Sequence, residues 1–187
     1  MPEKIEVAKM LSVKYDEVYH ITELYKYLRE LLKEKGYLDD EKEKWTETYY
    51  LDRSSPGGKE LWFWWRTDRT PDDNDYLQYK LNLDFHVLAL KDVEIVHHGK
   101  KIKAHKGEIE ILISAWLIFD PKDTFGKSGF LKRYFNTFVS SIYREQLEAK
   151  RLELLKDIAE IQASIKQYLE QKAITYEEPF YPVKGLS

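Results

Sequence analysis

DYLQYKLNLDFHVLAL, residues 75–90, alternates apolar and polar side chains almost without interruption. Leu77, Tyr79, Leu81, Leu83, Phe85, Val87 and Ala89 hold the odd positions, and Gln78, Lys80, Asn82, Asp84 and His86 the even ones. Successive side chains on a strand point to opposite faces, so the pattern predicts one long, half-buried strand. One face must rest on a core. The other carries a row of hydrogen-bonding and titratable groups.

Further strands flank it. Residues 92–98 and 100–105 bracket Gly99 and predict another hairpin, and Gly107 marks a bulge or break. Residues 108–119 follow as the last strand, with Ile109, Ile111, Ile113, Ala115, Leu117 and Phe119 on its core face and Leu112, Trp116 and Ile118 on the other. Upstream, residues 45–52 and 59–68 enclose RSSPGG, in which Pro56, Gly57 and Gly58 supply turn conformations. The second strand of that hairpin sets Leu61, Phe63 and Trp65 against Trp62, Trp64 and Arg66 on opposite faces. Residues 4–15 alternate as a first strand whose odd face is mostly buried. Asp16 is placed to cap a helix over 17–35, striped by Ile21, Leu24, Tyr25, Leu28, Leu31 and Leu32 and closed by Gly36 at the C′ position. DDEKEK (39–44) reads as a solvated linker.

From about Ser128 to Lys172 the pattern is helical throughout, broadly apolar from Leu131 through Tyr143. Beyond that, Leu147, Leu154, Ile158, Ile161, Ile165 and Tyr168 form a seam of alternating three- and four-residue spacing, interrupted by Arg151. Such a helix is roughly 65 Å long, against about 40 Å for a compact chain of this size. The expectation is a helix that outgrows its domain and self-associates through those seam residues. Three regions follow: an α+β domain over 1–145, a projecting coiled-coil part over 146–172, and an extended aromatic tail over 173–187.

Composition bounds the choices. The 187 residues, 43% of them hydrophobic, suit one domain with a proper core. A net charge of −3 gives no pull toward nucleic acid or anionic membrane. No apolar run is long enough for a membrane span, and MPEKIEVAK lacks the apolar core of a signal peptide, so a soluble cytoplasmic protein is expected. The absence of cysteine excludes disulfides and thiolate chemistry. Abundant charge with few asparagines resembles proteins from hot environments.

The order strand, helix, several antiparallel strands, long C-terminal helix resembles the helix-grip arrangement of the START and polyketide-cyclase superfamily. The resemblance covers about residues 4–145 and is one of element order, with no shared motif. It departs from the family in having one N-terminal helix instead of two short ones, and in its overlong last helix. It implies a curved antiparallel sheet, the two helices on one of its faces, and a cavity between sheet and helix for a hydrophobic small molecule.

Candidate chemistry is sparse. Asp84 and His86 share a face about 6.6 Å apart in rise, an arrangement in which a carboxylate orients an imidazole for general base catalysis; a solvated sheet face has the same composition. His97 and His98 point to opposite faces, and His105 stands too far along for a shared ion, so a metal site would require His20 or His86 and none is expected. The basic HHGKKIKAHK (97–106) reads as a charged hairpin tip, the acidic loop 68–75 as solvated. Phosphate-binding and nucleophile-elbow motifs are missing, and no cofactor is expected. More informative is the face shared by Trp62, Trp64, Arg66, Lys80, Asn82 and Trp116, whose mixture of large aromatics and polar groups suits a ligand pocket or a protein interface. The reading is a non-enzymatic interaction module that forms a homo-oligomer. The alternative is a helix-grip carrier or enzyme for an apolar small molecule.

Overall fold

The computed structural model describes residues 3–39, 46–97, 100–123 and 144–175. Six strands form one antiparallel sheet: β1 (Glu3–Tyr15), β2 (Val18–Tyr19), β3 (Glu47–Ser55), β4 (Gly58–Arg69), β5 (Leu77–His97) and β6 (Lys100–Phe119). Their order is β1-β6-β5-β4-β3, with β2 also on β6. Among the described residues two helices, α1 (Ile21–Glu34) and α2 (Arg144–Thr175), pack against one face. The architecture is α+β, as the sequence pattern predicts, and is compatible in outline with a helix-grip arrangement.

The alternating stretch forms the centre of β5, and Leu77, Tyr79, Leu81, Leu83 and Val87 are fully buried there. Their partners on β6, Phe119 to Ile109, are buried on the same face. The strand does not stop at Leu90. It runs on to His97, and β6 starts at Lys100, so the hairpin expected over 92–105 is the far end of one continuous ribbon. Between Leu88 and Lys91 the ladder carries one extra residue on β5, opposite Gly107. Ala89 takes a left-handed φ of 51° there, and a Cβ on Gly107 would lie 2.7 Å from the Leu88 carbonyl oxygen. Glycine is therefore what lets the bulge close. Alternation along β6 then puts Ala104 and Ile102 on the face opposite Ile109, where they join Val93, Ile95 and Val18 in a second, smaller cluster.

Two expectations near the N-terminus change. Asp16 does not cap α1: Val18 and Tyr19 first pair with Lys106 and His105 as β2, and the helix starts at Ile21 with His20 at its N-cap. Nor is the odd face of β1 buried throughout. Register shifts between Glu6 and Leu11, with Met10 at φ 49°, turn Met10 and Leu11 to the outside. The C-terminal end of α1 agrees with the sequence. Gly36 adopts φ 75°, Gly36 N–H donates to Lys33 C=O and Tyr37 N–H to Leu32 C=O, the paired bonds of a Schellman motif.

The largest correction concerns α2. Its seam does not project. Leu147, Leu154, Ile158, Ile161 and Ile165, with Leu169, are buried in the same core as the sheet, chiefly beneath β1 and β6. Tyr168 stacks on Tyr27 of α1 at 4.5 Å. The comparison of lengths fails because the chain is not a sphere. The 21 residues of β5 span about 69 Å, more than the roughly 48 Å of the 32 residues of α2. A long helix has a long sheet to lie on. The expected apolar helix over Leu131–Tyr143 and the tail beyond Thr175 lie outside the described residues.

Deleting packing from this seam measures its role. Ile161→Ala should lower the free energy of unfolding by about 2–5 kcal/mol in urea titrations, with no change in the mass measured by light scattering. A loss of mass with little loss of stability would place the seam between chains instead.

Candidate functional site

Strand register lays out the open face of the sheet. Trp62 on β4 opposes His86 on β5, which opposes Glu110 on β6; Trp64, Asp84 and Leu112 form the next row, then Arg66, Asn82 and Ser114. Lys80 and Trp116 form a fourth row with Asp68. The six residues singled out from the sequence thus share one face, and each of them is half-buried. They do not form a single cluster: β5 separates Trp62 and Trp64 from Trp116.

The groups on this face are largely paired with each other. Arg66 forms an ion pair with Asp84, donates to the Trp65 carbonyl, and lies 5.2 Å from the Trp64 ring centre. Trp64 in turn stacks on Tyr49 at 4.3 Å. Trp62 stacks on His86 at 3.5 Å, and its indole N–H donates to Glu60 at 3.1 Å. The ammonium of Lys4 sits 3.9 Å above Trp116, and Ser12 donates to Glu110 at 2.8 Å. The proposed dyad is not formed. Asp84 is committed to Arg66, and the carboxylate that meets His86 is Glu60 on the neighbouring strand, at 3.0 Å. Both pairings run diagonally across the β4–β5 ladder, since the residues directly opposite His86 and Asp84 are Trp62 and Trp64; the long side chains of Glu60 and Arg66 reach that diagonal. His86 and Trp62 together hold the Glu60 carboxyl below its ordinary range.

A second site was not foreseen. A cleft of about 850 Å³ opens between the C-terminal end of α1, the β4–β5 connection and α2, lined by Lys35, Tyr37, Arg69, Asp73, Lys150 and Glu153 among others. Arg69 is its pivot. The guanidinium donates to the Lys35 carbonyl at 2.9 Å and pairs with Glu153 at 2.9 Å and Asp157 at 3.2 Å. It also lies between the rings of Tyr37 and Tyr79, at 5.1 and 4.9 Å. Asp157 accepts from the Tyr37 hydroxyl at 3.0 Å. Burial, then the Asp157 charge, push the Tyr37 phenol far above its usual range. Lys35 reaches Glu160 at 2.6 Å, and this bond lowers the Glu160 carboxyl. Burial alone would lower the Lys35 ammonium, but Glu160 and Asp157 outweigh it and hold it up. Lys150 joins Asp73 of the acidic loop at 2.7 Å to Glu153 at 3.0 Å, which raises the ammonium and lowers Asp73. The sequence did hold a signal: Glu153, Asp157 and Glu160 are spaced four and three along α2 and so form an acidic stripe on one helix face.

The pair His97 and His98 is not tested, since His98 lies outside the described residues; two other histidines meet across elements. The His20 and His105 rings pack edge to face with centres 5.5 Å apart, and Asp92 lies 3.7 Å from His105. Among the described residues no group of three or more potential ligands is placed to hold a metal ion. Burial lowers the His105 imidazole, the neighbouring His20 and Lys59 add to this, and Asp92 opposes it.

Between sheet and α2 lie the buried side chains already named. An apolar groove of about 190 Å³ lies beside α1, lined by Ile21, Tyr25, Tyr50, Leu61 and Phe63. No helix among the described residues is long and apolar enough to cross a membrane. No protein family, curated protein or solved structure matches the chain.

Two measurements test these assignments. Arg69→Met leaves Glu153 and Asp157 facing each other without their shared cation, and should cost about 2–4 kcal/mol of stability by urea unfolding. The pH dependence has two stages. His105 is lowered in the folded state, so the unfolded chain takes up its proton first, and stability present at neutral pH is lost as pH falls below 6.5. Glu60, Asp73, Glu110 and Glu160 are lowered as well, so a second loss follows at pH values below the ordinary 4.5 of a glutamate and 3.8 of an aspartate. Thermal melts at stepped pH should show both stages, and His105→Gln should remove only the first.

Proposed function

We propose that this chain is a non-enzymatic interaction module that recognises a protein partner with the open face of its sheet. The observation that carries the reading is the pairing of every large aromatic there with a polar or aromatic neighbour: Trp62 with His86 and Glu60, Trp64 with Tyr49 and Arg66, Trp116 with Lys4. Rings held in this way lose little freedom on binding. Trp, Tyr and Arg are also the residues that dominate binding energy at protein interfaces. Charge on the face is mixed, as Arg66, Lys80 and Lys4 alternate with Asp84, Glu60 and Glu110, which fits a protein surface better than a polyanion.

A second reading, a START-like carrier of an apolar small molecule, is favoured by the groove beside α1. At about 190 Å³ that groove falls short of the roughly 300 Å³ of ordinary ligand pockets, and the interaction module therefore stands first.

The triple variant Trp62→Ser, Trp64→Ser, Trp116→Ser tests it, with Leu152→Ser on the exposed side of α2 as control. In affinity purification from extracts of the source cells, proteins retained by the wild type and the control should be lost with the triple variant, while its circular dichroism spectrum stays native. Retention of the same proteins by a folded triple variant would contradict the proposal.

A further inference from the structure

The two edges of the sheet differ. β1 is broken by two register shifts and carries Lys4, Glu6, Lys9 and Lys14 on its exposed positions, features that discourage another strand from adding. β3 is regular from Tyr49 to Ser55 and has neither proline nor lysine in that run. Its residues from Thr48 onward are exposed, among them Tyr49 at 40%, Tyr50 at 59% and Leu51 at 43%. Three consecutive large apolar side chains are thus uncovered on both faces of an edge strand.

The register says which backbone groups are free. The two-residue loop Pro56-Gly57 closes on Ser55 and Gly58. Pro56 has no N–H, so Ser55 and Gly58 themselves exchange the closing hydrogen bonds. Alternation then turns Arg53 and Leu51 toward β4 and leaves the N–H and C=O groups of Tyr50, Asp52 and Ser54 pointing away from the sheet.

We propose that β3 pairs with β3 of a second copy, antiparallel and symmetric about Leu51, joining two six-stranded sheets into one. In this register Tyr50 and Asp52 exchange backbone hydrogen bonds with the partner's Asp52 and Tyr50, Leu51 meets its own copy, and Tyr49 faces the partner's Arg53 on the open face. Tyr49 already stacks on Trp64, so the partner's guanidinium extends an existing aromatic row. Charge selects the register. Symmetry about Asp52 uses the same free backbone groups but sets two carboxylates directly opposite each other, whereas symmetry about Leu51 separates them. The interface is isologous and closes at two chains. It stands independently of the open-face proposal.

The natural absence of cysteine makes the test direct. Residues opposed in a pair without mutual hydrogen bonds, as Leu51 and its copy would be, have Cα atoms about 4.5 Å apart, within the range a disulfide spans. Under mild oxidation of the full chain, Leu51→Cys should form a covalent dimer at least about tenfold faster than Tyr50→Cys, whose copies would be diagonal at roughly 7–8 Å, or than Leu152→Cys on α2. Light scattering should give a dimer for the wild type and a monomer for Leu51→Lys, with both retaining native circular dichroism. A monomeric wild type at high concentration, or cross-linking of Leu51→Cys no faster than the Leu152→Cys control, overturns the proposal. Faster cross-linking of Tyr50→Cys than of Leu51→Cys overturns the register.

Discussion

The burial of one face of the β5–β6 ribbon is the constraint from which the other features follow. Leu77 to Val87 and Ile109 to Phe119 form an apolar strip far longer than α1 can shield. Covering it requires a second helix of comparable reach, and the seam of α2 supplies that cover beneath β1 and β6, while α1 packs Tyr25 against Phe63 and Trp65 of β4. Because side chains alternate, the same backbone that builds this core sets the opposite row of Trp62, Trp64, Asp84, His86 and Trp116 in the open. Core and candidate surface are two sides of one periodicity.

Hydrophobic packing is non-directional and leaves the ends of the helices free to slide. The ion-pair cleft removes that freedom. Arg69 takes a carbonyl from the last turn of α1 and two carboxylates from α2, and Lys150 adds the acidic loop between β4 and β5. Groups drawn from residues 35, 69, 73 and 150–160 meet there. Their partners are charged on both sides and each bond is directional, so the cleft acts as a clamp that fixes helix position, in keeping with a chain rich in charge.

Much of this architecture was legible in the sequence because its signals are local. Strand alternation over 75–90, the turn at Pro56-Gly57, the stripe of α1 and the left-handed Gly36 each depend on residues a few places apart. The partition of Trp62, Trp64 and Trp116 onto one face needed parity alone. What remained hidden depends on register or on partners distant in the chain. A bulge at Ala89 leaves no mark on an alternating pattern apart from the glycine it needs across the ladder. The Asp84–His86 dyad failed because each group is paired with a long side chain on a diagonal position of β4, Arg66 for Asp84 and Glu60 for His86, which no single strand reveals. Heptad spacing in α2 announced an apolar seam correctly, but spacing carries no information on whether the surface that covers it belongs to the same chain.

With that seam buried internally, the surfaces proposed to meet other chains are the open face and the β3 edge. Backbone hydrogen exchange on the intact chain addresses this most directly. Amides of α2 between Leu154 and Ile165 should exchange only through global unfolding, with protection that does not change with protein concentration. Protection of α2 that appears only as concentration rises would show that a second chain, and not the sheet, covers the seam, and would contradict the account.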